Sequence, residues 1–152
     1  MKVLEIFVDG ACHGNPGPAA VGIVIKEKGK VVKKISKSIG DATNNIAEYT
    51  ALIYALKEAR ALKGQQLKIF TDSELMHRQL TGSYQIKNES LRTLFDEAQG
   101  LGKKFKHVEI KHVPREQNQD ADKLATQAIK KEQTKVVASV FHTGEESPSS
   151  AG

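Results

Sequence analysis

The feature that most constrains this chain is a change of apolar period: two-residue alternation dominates the first forty residues, and a helical period dominates most of the remainder. Val3 to Asp9 sets Val3, Glu5 and Phe7 against Leu4, Ile6 and Val8, then stops at Asp9-Gly10, which reads as a strand and a turn. A compact turn over Gly14-Asn15-Pro16-Gly17-Pro18 leads to a second strand, about Ala20 to Glu27. Lys28-Gly29-Lys30 turns it into a third, about Val31 to Ile39. Three consecutive strands joined this way predict an antiparallel meander. Beyond them, Ile46, Tyr49, Leu52, Ile53, Leu56 and Ala59 recur at helical spacing over Ile46 to Leu62, and Gly64 ends the run. Leu67 to Thr71 reads as a short buried strand, and Ser73 to Leu80 as a short helix. Ser90 to Leu101 predicts a second helix and His107 to Val113 a strand that Pro114 ends. A last helix runs from about Gln119 to Lys131, capped by Asn118. The order βββαβααβα predicts an α/β fold. Its first, fourth and fifth strands run parallel in one mixed sheet with helices on the faces.

With 152 residues the chain is sized for one domain. Residues 1–132 are expected to form it and 133–152 a tail, in which Val136 to Phe141 docks as an extended segment and 143–152 is disordered. A partner-binding strand is the rival reading of Val136 to Phe141. No run approaches the roughly 20 apolar residues of a membrane span. The N-terminus enters a strand without a signal-peptide pattern. The single cysteine, Cys12, rules out an internal disulfide framework and fits a reducing compartment, so a cytoplasmic monomer is expected. A formal charge of +5 suits a polyanionic partner only weakly, and six lysines between Lys26 and Lys37 equally describe a solvated hairpin. Aromatic residues make up 5%, too few for single-strand binding by base stacking.

The chemistry lies in four acids. Asp9 ends the first predicted strand and Asp72 follows the fourth. In parallel neighbours such ends lie about 5 Å apart, at the carboxyl edge where α/β proteins place their sites. Glu48 falls in the opening turns of the first long helix and Asp122 in the first turn of the last, neither needed for an apolar face. Singly, each has a structural explanation as a turn residue, a cap or a partner of a helix dipole. Together they pose a problem, since two unit charges about 4 Å apart interact by roughly 4 kcal/mol at an effective dielectric of 20. Divalent cations relieve it, and oxygen-only ligands favour Mg²⁺ or Mn²⁺ over zinc.

The first acid stands in Asp9-Gly10-Ala11-Cys12-His13-Gly14-Asn15-Pro16-Gly17-Pro18, and the second in Thr43-Asn44-Asn45-Ile46-Ala47-Glu48. Thr71-Asp72-Ser73 holds the third. His112-Val113-Pro114-Arg115-Glu116-Gln117-Asn118-Gln119-Asp120-Ala121-Asp122 holds the fourth. These four segments, in this order across about Lys2 to Lys131, resemble the motifs of the type 1 ribonucleases H. The resemblance implies a ribonuclease H-like fold, a five-stranded mixed sheet of order 3-2-1-4-5 flanked by helices. It further implies Asp9, Glu48, Asp72 and Asp122 as ligands of two Mg²⁺ ions, for which Mn²⁺ can substitute. The implied reaction is hydrolysis of the RNA strand of an RNA–DNA hybrid to 5′-phosphate and 3′-hydroxyl ends.

His112 matches the family's loop histidine, a helper in proton transfer or product release, and it reads equally as a strand-end residue without a chemical role. Arg115 in the same loop assists through its fixed charge. By the same resemblance, the Gly10–Cys12 backbone, Asn44 and Asn45 contact the minor groove, where a 2′-hydroxyl distinguishes RNA from DNA. Asn15 and Thr43 grip a phosphate of the DNA strand, and Arg115 and Asn118 complete the substrate contacts. Two departures from relatives predict low processivity: the link from Leu80 to Leu91 lacks a long basic, tryptophan-bearing protrusion, and the first strand starts at Val3 with no hybrid-binding module before it. Rival readings are a catalytically silent hybrid-binding module and another nuclease of the same superfamily. Asn44-Asn45 and the Asn118/Asp122 spacing favour ribonuclease H.

Overall fold

A computed structural model describes the backbone of residues 1–146 and the side chains of residues 1–135. Five strands, β1 (Val3–Cys12), β2 (Gly17–Glu27), β3 (Lys30–Ala42), β4 (Gln66–Thr71) and β5 (His107–His112), form one sheet of order β3-β2-β1-β4-β5. β1, β2 and β3 are an antiparallel meander, while β4 runs parallel to both β1 and β5. The helices are α1 (Asn44–Ala61), α2 (Glu74–Leu80), α3 (Glu89–Gly102) and α4 (Gln119–Glu146), with a 3₁₀ turn over Arg115–Gln117 before α4.

The sheet separates two layers. Leu4, Ile6 and Val8 of β1, with Val21, Ile23 and Ile25 of β2, face α1 and form the main core with Leu52, Leu56 and Ile69. Each fully buried Leu or Ile there contributes about 2 kcal/mol. α1 carries Ala47, Ala51 and Ala55 at every fourth position, all buried, so its backbone lies close to the sheet. α4 crosses the opposite face, packing Ala128 and Ile129 against Ala20 and Ala11. Gly22 makes that crossing possible. A Cβ there would strike the carbonyl oxygen of Ala121 and crowd the Ala125 nitrogen.

Three boundaries differ from the sequence reading. β1 continues past Asp9-Gly10 to Cys12, because Gly10 to Cys12 still pair with Val21 to Ala19 of β2. β3 runs on to Ala42, accommodating Gly40 at φ 80° beside a register shift opposite Ala19/Ala20. The extended conformation expected for Val136 to Phe141 is overturned, since α4 continues unbroken through these residues to Glu146. Val136/Val140 and Val137/Phe141 are four apart, so the helical period persists, and nothing from Lys131 to Thr143 is Gly or Pro. The expected disorder of 143–152 meets helix as far as Glu146, and residues 147–152 lie outside the described residues. Among the described residues no helix is long and apolar enough to cross a membrane.

Candidate active site

Asp9 lies within β1, opposite Gly22 of β2 and two residues beyond the last β1–β4 pair, Phe7–Phe70. Alternation along β1 turns it toward the α4 layer. α1 brings in Glu48 from the other layer, and Asp72 follows the end of β4. A carboxylate oxygen from each of Asp9, Glu48 and Asp72 lies within 4.8 Å of the other two. Asp122, in the first turn of α4, lines the same cleft and helps raise the Asp9 carboxyl. The close approach of α4 at Gly22 is what brings Asp122 there. All four acids line one open cleft of about 490 Å³, together with Gly10, Cys12, Asn44, Asn45, Ser73 and Arg115.

The electrostatics match the crowding. Asp9 is 5% exposed and Glu48 8%. Burial, reinforced by the charges of Glu48 and Asp72, pushes the Asp9 carboxyl far above the usual carboxylate range. Burial raises Glu48 as well, opposed by the backbone N–H of Gly10, which donates to Glu48 Oε1. Asp72 is also raised by burial, partly offset by the amide of Asn118 and the charge of Arg115. An all-oxygen donor set that is costly to ionise without a counter-charge fits a hard divalent cation such as Mg²⁺ or Mn²⁺. Asp9, Glu48 and Asp72 would hold it first, with Asp122 beside them.

A second cavity, of about 400 Å³, shares Asn44 and Asn45 with the first and adds Asn15, Thr43, Asn88 and Ser90. Its walls are fixed by local bonds. Thr43 Oγ1 accepts from Ile46 N at 3.2 Å and caps α1, while Asn88 Oδ1 accepts from Leu91 N at 3.0 Å and caps α3. Asn15 Oδ1 accepts from the Asn44 backbone N–H at 3.0 Å, and the Cys12 thiol donates to Asn44 Oδ1 at 3.1 Å. With its oxygen engaged, Asn44 has its NH₂ group to offer a ligand. Two helix N-termini meeting at one polar cavity favour an anion.

Gly10, Cys12, Asn15, Thr43, Asn44, Asn45 and Arg115 thus join the four acids along two adjoining cavities. Two expected residues do not. His112 is exposed at the end of β5, its ring 6.1 Å from that of His77, and does not line the carboxylate cleft. The loop beyond it turns through Val113 and Pro114, and Arg115 is the residue that reaches the cleft, 3.6 Å from Asp122. Asn118, expected both to cap α4 with its side chain and to touch substrate, is 1% exposed and donates to the Val8 carbonyl at 2.8 Å. Sequence reasoning missed Asn88 and Ser90. The one signal for them is Asn88 standing as a cap residue before an amphipathic run.

Residues 7–128 match the family described as reverse transcriptase-like. The chain is 42% identical over 127 residues to a ribonuclease HI of Halobacterium salinarum, covering 83% of this chain and 64% of that one. It is 38% identical over 131 residues to a protein of Mycobacterium tuberculosis described as bifunctional, covering 85% of this chain. Of that relative's length the chain spans 36%. A ribonuclease H1 isolated from compost by a metagenomic approach, solved in complex with an RNA/DNA hybrid, superimposes with a TM-score of 0.82 at 35% identity. That match covers 86% of this chain and 99% of the other.

Proposed function

The chain belongs to the ribonuclease H family, and from that premise we propose that it hydrolyses the RNA strand of RNA–DNA hybrids with divalent cations, leaving 5′-phosphate and 3′-hydroxyl ends. One observation carries the reading: three carboxylates from three separate elements bring their oxygens within 4.8 Å of one another. Bound divalent cations supply Lewis acidity at the scissile phosphate and a nucleophile from water at neutral pH. The chain's own residues do the rest.

Asp9, Glu48, Asp72 and Asp122, which line one cleft, would hold the cations. The Asn44 NH₂ group, Asn45 and the Gly10–Cys12 backbone contact the minor groove and register the RNA strand. Asn15, Thr43, Asn88 and Ser90 take a phosphate of the other strand in the adjoining cavity. Holding both strands fixes which phosphodiester reaches the carboxylates. Arg115, beside Asp122, adds a fixed positive charge near the reacting phosphate. The short link between α2 and α3 supports release after few cuts.

The test is cleavage of end-labelled RNA–DNA hybrid, DNA duplex and RNA duplex of one sequence, with Mg²⁺ and with EDTA. The reading expects the hybrid's RNA strand alone to be cut, and only with metal. Binding of the hybrid without cleavage would favour a silent binding module. Cutting of DNA duplex would favour another nuclease of the superfamily.

A further inference from the structure

Asn118 is buried, it does not line the carboxylate cleft, and two of its hydrogen bonds lead to the strand that carries Asp9 and to the helix turn that carries Asp122. Its Nδ2 donates to the carbonyl of Val8, the residue before Asp9, at 2.8 Å. Its backbone carbonyl accepts from the N–H of Asp122 at 3.1 Å, in the first turn of α4. The β1–β4 ladder has ended by this point, at Phe7–Phe70, and the Asn118 amide holds β1 just beyond it.

A capping role does not explain the side chain. A cap accepts a backbone N–H through its oxygen, yet Asn118 Oδ1 is buried and has no hydrogen-bond partner among the described residues. Folded proteins normally avoid leaving a buried acceptor unpaired. The fold tolerates one here, and what it keeps is the donor end of the amide, bonded to the strand that bears Asp9.

We propose that Asn118 is the positioning residue of the carboxylate site. By tying Val8, the residue before Asp9, to the first turn of α4, it sets the spacing at which Asp9 and Asp122 receive a divalent cation. The inference rests on the metal-dependent reading of the site under Proposed function. Outer-sphere partners of this kind typically change metal affinity by about 10- to 100-fold when removed.

The experiment is calorimetric titration of Mn²⁺ into nucleic-acid-free protein for the unaltered chain, Asn118→Leu and Asn118→Ser, alongside metal-free melting. Leucine fills a similar volume without donors and removes the unpaired acceptor, while serine keeps one donor. The proposal expects both variants to melt cooperatively, at or below the parent's temperature, with Asn118→Leu binding Mn²⁺ at least about tenfold more weakly than the parent and Asn118→Ser between them. On hybrid at saturating metal, KM stays within about twofold of the parent, and the metal concentration for half-maximal cleavage rises with the Mn²⁺ Kd. Unchanged Mn²⁺ affinity in both variants would overturn the inference and leave the nuclease reading standing. A raised KM with unchanged metal affinity would make Asn118 a substrate contact instead. Absence of saturable Mn²⁺ binding by the unaltered protein would sink the metal reading itself, and this inference with it.

Discussion

Glu48 Oε1 accepts a hydrogen bond from the backbone N–H of Gly10, the residue after Asp9, so the second acid is fixed directly to the strand that carries the first. The contact needs a bare backbone, because a Cβ on Gly10 would fall among the backbone atoms of Ala47 and Glu48. Asp9, Gly10 and Glu48 are therefore one unit: close approach of α1 to β1 is what makes the acids neighbours.

Gly10→Ala is expected to push α1 off the sheet, lowering stability by about 3 kcal/mol and activity with it. Gly100→Ala is the control. It lies inside α3 with open space around a new Cβ, and should raise stability by about 0.5–1 kcal/mol with activity unchanged. Urea denaturation of the two variants checks both signs.

Asp9→Asn should abolish cleavage and raise the metal-free melting temperature by about 3 °C or more. It removes a buried charge held against Glu48 and Asp72 while keeping the shape. Scanning calorimetry in EDTA measures the shift, and a fall in melting temperature would contradict the crowding argument.

Arg115 and His112 should separate cleanly. The Arg115–Asp122 pair is exposed on the arginine side by 78%, so Arg115→Ala should leave the melting temperature nearly unchanged. The same variant should lower kcat by about tenfold or more through the lost charge at the cleft. His112→Ala should retain kcat within about twofold, since the imidazole lies outside the cleft. Single-turnover cleavage of the two variants decides the matter.

Without metal, stability should fall as pH rises. The carboxyls of Asp9, Glu48 and Asp72 titrate above their ordinary values in the folded state, Glu48 being pushed up to about 7. Above about pH 4 the folded chain therefore binds more protons than the unfolded one, so this contribution is full below that pH and lost as the pH climbs through the folded values. Saturating Mg²⁺ should flatten the slope, because the same carboxylates are then ionised in the folded protein. Denaturation midpoints from pH 5 to 8, with and without metal, read this out.

Much of this was legible in the chain. The switch from period two to 3.6 marked the elements in order, and the four acid-bearing segments placed Asp9, Glu48, Asp72 and Asp122 correctly in one cleft. What failed was local. Asp9-Gly10 carries the signature of a turn, but the glycine serves the approach of α1, a tertiary demand that turn propensity does not register. His112 shares a segment with Asp122, yet the course of the loop between them decides whether His112 or Arg115 faces the cleft. Asn118 read as a cap because it precedes a helix, while the direction of its amide is set by β1, 110 positions away. In the distal part of α4, Val136, Val137, Val140 and Phe141 form an apolar cluster that suggests a separate segment, while their four-residue spacing continues the helical period.

The central claim is that buried acids, protonated in part when the site is empty of charge, give up protons to take divalent cations. Calorimetric titration of Mn²⁺ at pH 7 in two buffers of different ionisation enthalpy counts those protons directly. Release of about one proton or more per chain, with affinity that strengthens as pH rises, is the predicted result. Binding with no proton released, or with affinity indifferent to pH, would contradict it.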